Sequence, residues 1–296
     1  MRVLLVGGSG RSGTSFLYKC ILSCDRICGV PDFESGLFTS NMSMLDLFDR
    51  YDNSYSPERF QYACTVYRSE FAGKFGSDAL KHYDDFIKNL YAGRFYNSPY
   101  QVTFSSAFES FLKEIFAFDS SKHDFFIEKT PHNVLYANAL RRLIPNVQIV
   151  HIVRDPRAVA ESVLRQNWGP KTFEDCVIWV RLILESWLRK YGAEPIGLGS
   201  YIDVIRVEDL VKYDALFANR LRSFANYDFK NLSLKANPAT LDRWRDSLSE
   251  SQITFANEKL AKVMEAFGYK TDVFGSEEQA SHSLDMSSMF LKYLAS

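Results

Sequence analysis

Glycines, hydroxyl residues and one arginine are crowded between residues 7 and 15, directly after an apolar run at residues 3–6. When such a stretch joins a buried strand to a helix, backbone N–H groups at the helix start point into the loop. The helix dipole favours an anion at the same place. The stretch therefore predicts a phosphate-binding loop. Its candidate binding residues are Gly10, Arg11, Ser12, Gly13, Thr14 and Ser15.

Two known kinds of nucleotide loop match this stretch in part. Gly8, Gly10 and Gly13 have the Gly-x-Gly-x-x-Gly spacing of a dinucleotide site, and Asp32 lies near the distance expected of a ribose-binding carboxylate. The first and last of these glycines also resemble the start of a P-loop, but Thr14 occupies the position of the required lysine. An NAD(P)-dependent reductase and a P-loop small-molecule kinase are therefore the two alternative functions.

A second candidate anion site follows the apolar run at residues 148–153. Arg154 ends this run, and Ser162 lies eight positions later. If a helix begins at Pro156, the serine lies about two turns along the face that starts beside the arginine. A phosphate binds well to a bidentate guanidinium and a hydroxyl donor. The alternatives are that Arg154 pairs with Asp155, or that this aspartate ends a Walker B strand, although the arginine would crowd a magnesium ion.

Together these two segments resemble the PAPS-dependent sulfotransferase family. Residues 11–15 are similar to its 5'-phosphosulfate loop, and the arginine and serine at 154 and 162 are similar to its 3'-phosphate motif. The resemblance implies transfer of a sulfuryl group from 3'-phosphoadenosine 5'-phosphosulfate (PAPS) to an acceptor hydroxyl or amine by in-line displacement. It also implies adenosine 3',5'-bisphosphate as the product, and we expect no metal.

Further segments extend the resemblance to the bacterial and tyrosylprotein branch of the family. Residues 128–131 (Glu-Lys-Thr-Pro) resemble a segment near the reacting sulfuryl group. Residues 241–245 and 267–269 resemble the carboxy-terminal Arg-Trp and Leu-Gly-Tyr pattern of that branch. By this resemblance, Arg243 or Arg245 would close over the 3'-phosphate.

The resemblance implies that Lys129, together with the loop arginine Arg11, would stabilise charge on the leaving phosphate.

The resemblance leaves the general base open. Cytosolic relatives carry a histidine where this chain has Pro131, so that assignment fails. Tyrosylprotein-type relatives use a glutamate after the first helix, which Glu34 matches best. His132 is the second candidate for the base, and Glu128 the third.

The elements that must position these residues alternate between strands and helices, which predicts an α/β fold. We expect a P-loop-like parallel sheet flanked by helices, in a single domain over residues 1–296. A helical insertion would span about 41–118, and a tail about 275–296. The predicted strands are 2–6, 125–127, 148–153 and 201–207, and helices outside the insertion are predicted at 13–24, 134–143, 173–191, 208–225 and 251–267.

The 24 Phe and 16 Tyr are an unusual content, and many lie between residues 33 and 126. They form either the core of a helical layer or an aromatic wall for the acceptor, since small-molecule sites are mostly apolar. The net charge of −1 and the lack of a Lys/Arg run argue against a nucleic-acid partner. The near-neutral charge and the aromatic insertion favour a small molecule or a lipid hydroxyl as the acceptor over a large polyanion, and a protein tyrosine and a carbohydrate stay open as alternatives.

The cysteine content bears on the compartment. The five cysteines are an odd number, which suggests no disulfide framework and fits a reducing, cytoplasmic location. The spacing of four between Cys20, Cys24 and Cys28 predicts three thiols along one helix face. No apolar run approaches the length of a transmembrane helix.

Overall fold

The apolar runs at residues 3–6 and 148–153 form two neighbouring strands, the central one and one beside it, of a five-stranded parallel sheet. The computed structural model describes residues 1–30, 34–39, 43–53, 57–93, 100–192, 201–233, 235 and 238–271. The strands are β1 (Arg2–Gly8), β2 (Ile27–Gly29), β3 (Phe125–Lys129), β4 (Val147–Val153) and β5 (Ile202–Arg206). Their order in the sheet is β2-β3-β1-β4-β5, and every pair is parallel.

Thirteen α-helices lie in the described part of the chain. They are α1 (Thr14–Leu22), α2 (Met44–Asn53), α3 (Pro57–Phe75), α4 (Leu80–Gly93), α5 (Tyr100–Ile115), α6 (Ala137–Leu143), α7 (Pro156–Leu164), α8 (Phe173–Tyr191), α9 (Val207–Lys212), α10 (Asp214–Ala225), α11 (Ala239–Asp242), α12 (Trp244–Ser247) and α13 (Glu250–Ala266). Two 3-10 helices span Ser77–Ala79 and Pro131–Tyr136.

The sheet is covered on both faces, as a parallel sheet requires. One face packs against α1, α9 and α10 through Leu17, Leu210 and Phe217. The other face packs against α6, α7 and α8 and against the helices between residues 44 and 115. The predicted α/β class, parallel sheet and helical insertion are thus confirmed.

The aromatic residues of α2 to α5 form a core of their own. Phe86, for example, lies 5.1 to 5.4 Å, ring centre to ring centre, from Phe104 and Phe111. Phe48 and Phe60 are also buried, at 0 and 1% exposure. These buried aromatic residues therefore fit the first of the two interpretations, the core of a helical layer.

Three details of the predicted elements are wrong. α1 ends at Leu22, so Cys28 lies in the short edge strand β2 and the three thiols do not share a helix face. The predicted helix 208–225 is divided at Tyr213, and the start of the predicted helix 134–143 is a 3-10 turn. The predicted tail after residue 274 lies outside the described residues.

Candidate active site

The loop between β1 and α1 has the backbone shape of an anion cradle. Gly10, Arg11 and Gly13 have positive φ angles of 73°, 53° and 100°. Gly13 is the N-cap of α1, and a Cβ there would lie 2.7 Å from Val207 Cγ2. Because only glycine combines this φ with this clearance, the loop can pack directly against Val207 at the start of α9. The N–H groups at the start of α1 are then available to an anion.

Arg11 connects the two predicted anion sites. Its side chain is exposed, and its Nε donates to Ser162 Oγ at 3.1 Å. Arg154 Nη1 donates to the carbonyl oxygen of Arg11 at 3.3 Å, and its Nη2 donates to the carbonyl oxygen of Thr240 at 2.7 Å. The loop after β1, the residue after β4 and the start of α11 therefore meet at the carboxyl edge of the sheet.

Four guanidinium groups lie within electrostatic reach of one another at this edge. Burial lowers the pKa of Arg165, and the charges of Arg243, Arg11 and Arg154 lower it further. Burial also lowers the pKa of Arg154, against the opposing effects of Glu208 and other groups. Four clustered cations repel one another, and a multiply charged anion would relieve that repulsion.

Two buried polar atoms at the same edge fit such an anion. Ser12 Oγ and the Nε of Arg154 have no hydrogen-bond partner among the described residues. Buried donors are normally paired. The two arginines of residues 241–245 differ in their surroundings. Arg245 pairs with Asp242 at 3.5 Å and lies over the Trp244 ring, whereas the charge of Arg243 lowers the pKa of Arg154. Arg243 is therefore the better candidate of the two for an anion contact.

Lys129 and Glu34 form an ion pair beside the loop. Lys129 ends β3, where its Cα is in register with Val6 of β1. Its Nζ lies 2.8 Å from Glu34 Oε1, and the two side chains are 9% and 51% exposed. His132, the second residue of the 3-10 helix, is exposed. The structure thus places Glu34 beside a buried cation, with an accessible carboxylate.

Glu128 has a different role from that of a free base. It is fully buried, its Oε1 accepts from Ser35 and Thr130 at 2.7 and 2.6 Å, and its Oε2 accepts from Asn133 at 2.7 Å. Thr130 Oγ1 in turn accepts from the backbone N–H of Gly36 at 3.1 Å. Glu128 therefore ties the segment that carries Glu34 to the end of β3.

Burial raises the pKa of Glu128 above its usual 4.5, against the lowering effect of its three hydrogen bonds. A carboxyl group with a raised folded-state pKa stabilises the fold most below pH 4.5 and loses that contribution as pH rises through the folded pKa. The Tm advantage of wild type over Glu128→Gln should therefore be greatest near pH 4.5 and shrink towards neutral pH. Glu250→Gln, at an exposed residue, is the control. A Tm difference that does not vary with pH would contradict this prediction.

The carboxylate of the aspartate in the Walker B hypothesis is bonded to neighbouring groups of the protein. Asp155 is the N-cap of α7 and accepts from the backbone N–H of Arg157 at 2.9 Å. Its carboxylate also pairs with the buried Arg157 guanidinium at 2.7 Å. Among the described residues, no group of three or more His, Cys, Asp or Glu side chains could hold a metal ion. Asp32 of the dinucleotide hypothesis lies outside the described residues.

Sequence reasoning missed Arg165 and Glu208. Arg165 lies three positions after Ser162, on the same side of the helix, so helical spacing was a usable signal. Glu208, the second residue of α9, is half-buried; it accepts from the backbone N–H of Asp155 and from Tyr269 Oη, both at 2.8 Å. It thereby joins the ends of β4 and β5 to the carboxy-terminal Tyr269.

Comparisons with known proteins bear on the family and the fold. Residues 4–231 match the sequence profile described as "Sulfotransferase family". A Caenorhabditis elegans protein described as "Putative protein-tyrosine sulfotransferase" is 21% identical over 201 residues, which are 58% of this chain and 76% of that protein. The "Sulfotransferase Domain from the Curacin Biosynthetic Pathway" superposes with a TM-score of 0.51 at 15% identity, covering 92% of this chain and 98% of that one. At this identity the superposition supports the shared fold.

In the described part of the chain, no helix combines the length and the apolar character needed to cross a bilayer.

Proposed function

The chain belongs to the sulfotransferase family, and on that premise we propose that it transfers a sulfuryl group from PAPS to an acceptor hydroxyl. The family and the fold support sulfuryl transfer in general; the donor, the acceptor and the residue roles are our proposal. The observation that carries it is the meeting of two anion sites at one edge of the sheet, joined by the contact between Arg11 and Ser162.

The two sites suit the two ends of the donor. The loop residues Gly13, Thr14 and Ser15 at the start of α1 would hold the 5'-phosphate end, since backbone N–H groups and hydroxyls are donors to phosphate oxygens. Arg154 and Ser162, with Arg243 nearby, would hold the 3'-phosphate. A nucleotide with charged groups at both its 5' and 3' positions therefore fits better here than a nucleoside triphosphate, which would need a lysine in the loop.

The chemistry assigned to the chain has two parts. Glu34 would accept the proton of the acceptor hydroxyl as its oxygen attacks sulfur. Arg11 and Lys129 would stabilise the negative charge that gathers on the 5'-phosphate as the S–O bond to it breaks. Lys129 already pairs with Glu34 at 2.8 Å, so the base and one cation lie side by side.

The acceptor is proposed to be a small molecule. A second candidate is a protein tyrosine, favoured by the description of the Caenorhabditis elegans relative. The family match ends at residue 231, so a single domain over residues 1–296 is also part of the proposal. The predicted cytoplasmic location is supported by the cysteines, all five of which are free thiols.

A thermal shift assay tests the donor. Adenosine 3',5'-bisphosphate, ATP and NADPH are compared without added magnesium. We expect the bisphosphate to raise the Tm, because a ligand at about 100 times its Kd adds about 2.7 kcal/mol to the stability of the folded state. A shift with NADPH alone would favour the reductase, and a shift with ATP that requires magnesium would favour the kinase.

A further inference from the structure

Two accessible indoles lie beside the phosphate loop. The atom Cη2 of Trp179 is 3.9 Å from the position of a Cβ on Gly10. The ring of Trp168 lies 6.0 Å from that of Trp179, at an interplanar angle of 57°. Trp168 is 62% exposed, whereas Trp187 and Trp244 are 1% exposed. Of the chain's four tryptophans, the two that are accessible therefore lie next to the loop.

Trp179 lies on the same face of the sheet as the segment that carries Glu34. Trp179 is packed against the core that contains Leu37 and Val134, and so lies on the same face as the Glu34 segment and the 3-10 helix. α1, whose start would hold the 5'-phosphate, packs on the opposite face. A molecule that presents its oxygen to Glu34 would therefore lie on the same face of the sheet as Trp179.

The connection that carries Trp168 is held in place by local contacts. Gln166 Nε2 donates to the carbonyl oxygen of Ser162 at 3.1 Å. A Cβ on Gly169 would lie 2.7 Å from Val163 Cγ1, so the chain folds back tightly on the end of α7. The N-cap contact of Thr172 with the backbone N–H of Asp175, at 3.2 Å, fixes the start of α8. The backbone that carries Trp168 is therefore held in place by the fold.

We propose that Trp168 and Trp179 form the recognition wall of the acceptor cleft and take a flat aromatic ring of the acceptor. Among the described residues, the aromatic side chains at the centre of the helical insertion, such as Phe86 and Phe104, are buried in a core of their own and face away from an acceptor. Offset or edge contacts between aromatic rings add specificity beyond buried area. The inference rests on the proposed function and assigns the chemical class of its acceptor.

The test uses the protein saturated with adenosine 3',5'-bisphosphate and titrated with phenol, with cyclohexanol as a non-aromatic ligand of similar size. Tryptophan emission reports binding, because the two accessible indoles lie at the site. We expect phenol to bind and cyclohexanol to bind more weakly. In the variant Trp168→Leu/Trp179→Leu, calorimetry should show about tenfold weaker phenol binding. Tyr62→Leu, at an aromatic residue of α3 that is 73% exposed, is the matched control.

The outcomes separate this inference from the proposed function. Failure of the bisphosphate to bind wild type would remove the proposed function itself. Normal bisphosphate binding without phenol binding would overturn the assignment of an aromatic acceptor. Weaker bisphosphate binding in the double variant, with phenol binding unchanged, would place the indoles at the donor instead and would also overturn it.

Discussion

Replacing Glu34 by glutamine should lower kcat by about 10²- to 10⁴-fold, the usual contribution of a general base. The amide keeps the size of the side chain but cannot accept the acceptor's proton. Because Glu34 lies beside Lys129 and not at the arginine cluster, the Kd for adenosine 3',5'-bisphosphate should stay within about twofold. The measurement is steady-state turnover of PAPS with the best acceptor from a panel of alcohols and phenols.

His132→Ala is the matched variant for this prediction. His132 is exposed on the neighbouring 3-10 helix and is the second candidate for the base. We expect its substitution to leave kcat nearly unchanged. If instead His132→Ala lowers kcat and Glu34→Gln does not, the base is His132 and the role given to Glu34 is wrong.

Replacing Arg154 by alanine should weaken binding of adenosine 3',5'-bisphosphate by about 100-fold. A hydrogen bond to a charged group contributes about 1.5 to 3 kcal/mol, and a guanidinium can make two such bonds to one phosphate. The loss should appear in the calorimetric Kd for the bisphosphate, while the Kd for the acceptor changes little. Arg154→Lys should recover part of the affinity, since it keeps the charge without the bidentate geometry.

Arg245→Ala is the control for the arginine cluster. Arg245 is exposed, pairs with Asp242 and lies over the Trp244 ring. Its substitution should leave bisphosphate binding within about twofold, because exposed ion pairs contribute little. Equal losses of donor and acceptor binding in Arg154→Ala would contradict a 3'-phosphate contact, and a lowered Tm alone would point to a structural role.

The central part of the fold was predictable because its signals are local. Continuous apolar runs ending in glycine or arginine identified β1 and β4, and Pro156 marked the start of α7. The two anion sites followed because each lies directly after one of these strands. The family match confirms the resemblance that these segments suggested.

The remaining features depend on contacts between distant positions. β2 has only three residues and is defined by its pairing with β3, so no periodicity marked it. Glu34 and Lys129 are 95 positions apart, and their contact exists because Glu128 ties the Glu34 segment to β3. Likewise the preference for Arg243 over Arg245 depends on which side chain approaches Arg154, which spacing alone does not determine.

The central claim is that this edge of the sheet binds a nucleotide with phosphates at both the 3' and 5' positions. The most direct measurement is calorimetric titration of the wild-type protein, without magnesium, with adenosine 3',5'-bisphosphate and with adenosine 5'-monophosphate, which lacks only the 3'-phosphate. We predict that the bisphosphate binds about 100-fold more tightly, because in the proposed function Arg154 and Ser162 would contact the extra phosphate. Equal affinities for the two nucleotides would contradict the account.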